Sequence, residues 1–173
     1  MTQRQLYRTG ALLLTAYTLL LTASLIGGRN YADTLIPLYR WELGWLAPEY
    51  RVRSIEVTAR ESEAEIVWFI ETIRAQRVGL RLLPQGTRMQ SSTLLAHALQ
   101  HPVLIYSVLL VWPIVGLRRR LALLVLGVPF LLVVEALDIP FVLLGAIEDV
   151  VLYNMAPEEL SSSGVVYWMN LLN

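Results

Sequence analysis

Hydrophobic and polar positions fall in blocks along this chain. The first block, Thr9 to Gly28, carries no charge and is bounded by Arg4 and Arg8 on one side and Arg29 on the other. Helix rises 1.5 Å per residue, so a run of this length spans about 30 Å, the hydrocarbon thickness of a bilayer. Two further apolar blocks, 91–117 and 121–140, are joined only by Arg118, Arg119 and Arg120. That pattern predicts a membrane hairpin with its basic tip in the cytoplasm, because short arginine-rich loops are retained there. Arg4 and Arg8 give the same orientation to the first block. Residues 1–8 and 118–120 are therefore expected inside, and the chain between the first and second spans outside. A cleaved signal peptide is the competing reading of the first block. A retained helix is favoured, because the run is long for a signal and Thr22-Ala23-Ser24 is a poor cleavage site.

Residues 29–90 have a different character. Over 31–46, Leu35, Leu38, Tyr39, Glu42 and Trp45 recur at roughly helical spacing, with Pro37 and Pro48 limiting the helix. Tyr31, Tyr39, Trp41, Trp45 and Tyr50 crowd this region, and such rings favour the headgroup level. The expectation is an amphipathic aromatic helix on the outer membrane surface, packed beneath a polar domain. From 51 to 83 the pattern turns to alternation. Ile55, Val57 and Ala59 share one face and Ser54, Glu56 and Thr58 the other. A turn is expected at Arg60-Glu61-Ser62-Glu63, then the β-branched and aromatic run 65–73, then a third strand at 78–84 closed by Pro84-Gln85-Gly86. A helix over 63–75 is the alternative. A meander this small must bury its face on another surface.

In the last block Pro129 predicts a kink and Pro140 the end of the span. Residues 141–146 are too short to cross again and read as re-entrant or interfacial. Extending them would carry Glu148 and Asp149 into lipid at high cost, so three spans are preferred to four. The tail, 141–173, is expected outside or at the interface, with Tyr167 and Trp168 as anchors. The fold class is thus a membrane all-α bundle of about three transmembrane helices, with a small extracytoplasmic α+β insert between helices 1 and 2.

Composition narrows the function. Hydrophobic residues make up 55% of the chain and mean hydropathy is +0.53, more apolar than an ordinary soluble domain. Formal net charge is +0, which argues against nucleic acid as a partner. With no Cys there is no disulfide, thiolate ligand or Cys nucleophile. There is no Lys either, since all 14 basic residues are Arg, so a Ser–Lys pair within the membrane is excluded. No Gly-rich phosphate loop and no G-x-S-x-G elbow is present.

One set of residues has the types and spacing for chemistry. His97 and His101 lie one helical turn apart. Counted from the arginine tip, His101 lies about 26 Å along one helix, Glu135 about 22 Å and Asp138 about 27 Å along the other. His97, His101, Glu135 and Asp138 are therefore candidate ligands for Zn²⁺ or a similar divalent metal, or a proton relay. The plainer reading is structural, with the carboxylates pairing to Arg81 or Arg88. Ala98 stands where the zinc peptidase motif H-E-x-x-H has its Glu, so the general base of that class is missing. The layout is similar to that of small accessory membrane proteins of Gram-negative bacteria that work beside a larger enzyme or secretion machine. The expected function is a non-enzymatic accessory or assembly protein of the bacterial inner membrane, whose insert binds a membrane or periplasmic protein through Tyr39, Trp41, Trp45 and Trp68. A membrane enzyme or metal-binding protein is the alternative, and a transport subunit the third.

Overall fold

The computed structural model describes residues 3–60, 63–113 and 116–172. The elements run α1 (Gln3–Leu46), β1 (Tyr50–Arg60), β2 (Glu63–Thr72), β3 (Gln76–Val78), β4 (Arg81–Leu83), β5 (Arg88–Leu94), α2 (Leu95–Val111), α3 (Leu117–Met155) and, after one 3-10 turn at Leu160–Ser162, α4 (Gly164–Leu172). α1 and α3 are each long and apolar enough, by length and composition, to cross a membrane. α2 is a shorter apolar helix of 17 residues, about 25 Å long.

β2 is the centre of a three-stranded antiparallel sheet in the order β1-β2-β5. Its register with β1 slips between Val52 and Ser54, leaving Arg53 as a bulge. Alternation then sends Ile66, Trp68, Ile70 and Thr72 inward from β2, and Ile55 and Val57 from β1. This inner face packs on Tyr39 and Leu43 of α1 and on Ile139, Leu143 and Ile147 of α3. Ser91 of β5 donates to the Leu143 carbonyl at 2.9 Å, tying sheet to helix.

α1 changes surroundings along its length. Its buried residues, Gly28, Ala32, Leu35, Tyr39 and Leu43, form a stripe at helical spacing. None lies in the apolar stretch before Gly28, where Leu12, Leu14, Leu19, Leu25 and Ile26 are exposed. α3 does the same. Leu121, Val125, Leu126, Phe130 and Val133 are exposed, whereas nearly every side chain from Asp138 to Gly145 is buried. The protein-packed core therefore sits at one end, and the uncovered apolar surface at the other.

Several boundaries differ from the sequence expectation. The first apolar run and the aromatic helix are one continuous 44-residue helix. Neither Gly27-Gly28 nor Pro37 breaks it, because tertiary packing beyond Gly28 outweighs their poor propensity. Gly28 allows a close approach, since a Cβ there would come within 2.5 Å of Leu99 Cδ1. Residues 63–75 do not form a helix; β2 occupies 63–72. The third strand at 78–84 is replaced by the small β3–β4 hairpin, which turns at Gly79 with φ +55°. The outer extension of helix 2 from residue 91 is also corrected: 88–94 is β5, whose Ser91 and Thr93 point inward instead of capping. Residues 114–115 of that expected span lie outside the described residues, as do 61–62 of the expected turn.

Pro140 does not end the third helix. α3 runs through it to Met155, so 141–146 continues the helix and is packed in the core. Pro140 has no N–H to give the Ala136 carbonyl; the neighbouring Leu137 carbonyl accepts from Trp168 Nε1 at 3.0 Å, tying α4 to this turn. α4 approaches α3 closely at Gly145, whose added Cβ would meet Met169 Cβ at 2.5 Å. Arg118, Arg119 and Arg120 form no loop; they occupy the first turn of α3.

Glu42 lies on α1, well beyond the uncharged 9–28 stretch. One of its carboxylate oxygens is buried with no hydrogen-bond partner, and burial pushes its pKa up from 4.5 to about 7. A raised carboxyl pKa means that the fold favours the neutral form. Stability is therefore expected to fall as pH rises from about 5 through about 7, as the unfolded chain releases a proton that the fold still holds. Glu42→Gln should remove that dependence. Melting curves of both proteins between about pH 5 and about pH 8 check this, and parallel pH profiles would reject it.

A buried histidine–carboxylate centre and an exposed tryptophan pair

α1, α2 and α3 meet at one polar centre. Helical spacing puts His97 and His101 on one face of α2, and Glu135 and Asp138 on one face of α3. Glu135 is 0% exposed and Asp138 4%. His97 Nε2 and His101 Nε2 each lie 2.7 Å from the same oxygen, Asp138 Oδ2. His101 turns its other ring nitrogen, Nδ1, to Glu135 Oε1 at 3.3 Å. α1 contributes two phenols. Tyr31 donates to Glu135 Oε1 and Tyr39 to Glu135 Oε2, both at 2.7 Å. The two imidazoles meet edge to face, 5.8 Å apart.

Each ring nitrogen of His101 faces a carboxyl oxygen, Nδ1 that of Glu135 and Nε2 that of Asp138. The imidazole and two phenolic donors offset the cost of burying the Glu135 carboxyl group. Each oxygen of Glu135 thus has a partner. Asp138 Oδ1, in contrast, is buried with none.

All four residues expected to converge do so: His97, His101, Glu135 and Asp138 form one cluster. Donor atoms of three of them, His97, His101 and Asp138, lie within 4.8 Å of one another. Glu135 stands one layer back and reaches Asp138's side of the cluster through His101. The arginines offered as carboxylate partners are elsewhere. Arg81 Nη1 donates to the Asn154 carbonyl near the end of α3, at 2.5 Å. Sequence reasoning missed Tyr31 and Tyr39 as members of the centre. Their spacing of eight residues, about two turns, is a usable signal, but rings near a membrane suit the headgroup level equally well.

The four residues expected at a partner surface divide. Tyr39 and Trp68 are both 0% exposed and belong to the core, which corrects their assignment to an interface. Trp41 and Trp45 are 72% and 75% exposed. They sit one turn apart on α1, roughly opposite the buried stripe that holds Tyr39 and Leu43.

No protein family, curated protein or solved structure matches this chain.

Proposed function

We propose that this protein is a small, non-enzymatic accessory protein of the bacterial inner membrane, whose extracytoplasmic insert engages a membrane or periplasmic protein. In this reading the uncovered apolar parts of α1, α2 and α3 lie in lipid, with the N-terminus and Arg118–Arg120 on the cytoplasmic side. Exposed leucines along α1 and α3 support the membrane placement, since so large an apolar surface is not tolerated in water. Charge asymmetry along the chain supports the orientation.

The observation that carries the partner reading is the Trp41–Trp45 pair. Two large rings stand on a rigid helix beyond the uncharged 9–28 stretch, while Tyr39 and Leu43 anchor the other side. Exposed tryptophans on a rigid support have the composition of interface hot spots. The centre beneath them joins three helices and holds this surface in place.

Trp41→Ala/Trp45→Ala is expected to reduce co-purification of the native partner from crosslinked membranes by about 30-fold or more, the effect of losing even one hot-spot residue worth about 2 kcal/mol. Membrane insertion and the melting temperature should be unchanged, because neither ring is buried. Undiminished recovery of the partner would reject the reading.

A further inference from the structure

We infer that His97, His101 and Asp138 form a binding site for one divalent transition-metal ion of the zinc class. This goes beyond the accessory reading and uses none of the residues that carry it.

Three observations converge. First, the donor set is right: two imidazoles one helical turn apart and one carboxylate, their ligand atoms within 4.8 Å of one another. Two nitrogens and an oxygen suit Zn²⁺ and its neighbours, and leave coordination positions open. Second, both Nε2 atoms converge on a single oxygen of Asp138, while Oδ1 of the same nearly buried carboxylate has no partner. A buried carboxylate oxygen without a partner calls for an explanation, and an ion is one that the two converging imidazoles also fit. Third, the surroundings of His101 match those of a metal-bound imidazole. With Nε2 directed at the site, its Nδ1 faces Glu135, and Glu135 is itself held by Tyr31 and Tyr39. A carboxylate behind the ligand histidine fixes the ring and raises its basicity. Glu135 is therefore a positioning residue and not a ligand.

The present N···O separations of 2.7 Å are hydrogen-bond distances. Around a tetrahedral ion with bonds of about 2.0–2.1 Å, neighbouring ligand atoms stand about 3.3 Å apart. Binding thus requires the pairs to open by about 0.6 Å as the shared protons leave. Side-chain rotation can supply this, because the histidines keep 16% and 18% of their side-chain surface exposed. The same exposure gives the ion a way in.

The test uses full-length protein carrying no polyhistidine tag, purified in detergent, exposed to Zn²⁺ and desalted. About one zinc per chain is expected by elemental analysis, with less than a tenth of that in His97→Ala/His101→Ala. Glu135→Gln should weaken zinc binding by about 10- to 100-fold, the usual effect of losing such a supporting carboxylate. Tyr31→Phe should retain the metal. The wild-type protein alone gives a second readout. Loading with Co²⁺ should produce the intense visible bands of a low-symmetry N/O site, and EDTA should abolish them. Absence of metal from the wild type, a featureless cobalt spectrum, or undiminished zinc in the double variant would each overturn the proposal.

Discussion

Glu135→Ala is expected to destabilise the protein by about 3–5 kcal/mol, the usual cost of removing one partner from a buried charged pair. The substitution leaves three donors without an acceptor: the Tyr31 and Tyr39 hydroxyls and His101 Nδ1. Because these come from α1 and α2, the loss should be felt as a loosening of all three helices. Glu135→Gln keeps the shape and one acceptor, so a smaller loss is expected. Tyr39→Phe should cost about 1–3 kcal/mol, the penalty of a lost buried hydrogen bond to a charged group. The double variant Glu135→Ala/Tyr39→Phe should lose less than the sum, because both changes remove the same contact. Denaturation of the four proteins in one detergent checks this. Full additivity would mean that the centre does not couple α1 to α3.

Trp68→Ala should cost about 3–5 kcal/mol, as for other buried aromatic truncations. Trp68 is the largest fully buried side chain. It packs edge to face on Tyr50, 6.5 Å away, and lies in the core cluster between the sheet and helices α1 and α3. Its indole N–H is buried without a partner. Trp68→Phe should therefore be much milder, since it keeps a ring in place and removes an unsatisfied donor. The contrast is measurable as a large drop in melting temperature for Ala and a small shift for Phe. Equal losses would place the contribution of Trp68 outside ring packing.

What could be read from the sequence follows from local physics. Charge-free blocks and the arginine cluster marked the long apolar helices, because a 20-residue uncharged run has few other uses. Alternation of Ile55, Val57 and Ala59 marked the first long strand, and the β-branched and aromatic run 65–73 the second. Spacing also brought His97, His101, Glu135 and Asp138 to one level, since helix rise is constant. Features set by contacts distant in the chain could not be read in this way. Ser91 and Thr93 have ordinary capping residue types, and only pairing with β2 makes them strand residues. Pro140 is a helix breaker by propensity, yet packing of 139–152 in the core carries α3 through it. Tyr39 and Trp41 look alike as aromatic residues near a membrane. Their opposite fates, one buried on Glu135 and one exposed, depend on the direction in which α1 faces its neighbours.

We propose that the Trp41–Trp45 surface meets a protein partner outside the membrane. Its most direct test places a photo-crosslinking amino acid at position 41, with the same residue at exposed position 150 on α3 as the comparison, and irradiates intact cells. A discrete crosslinked species from position 41, absent from position 150 and lost when Trp45 is changed to Ala, is the predicted result. Crosslinks to lipid alone from position 41 would contradict the claim.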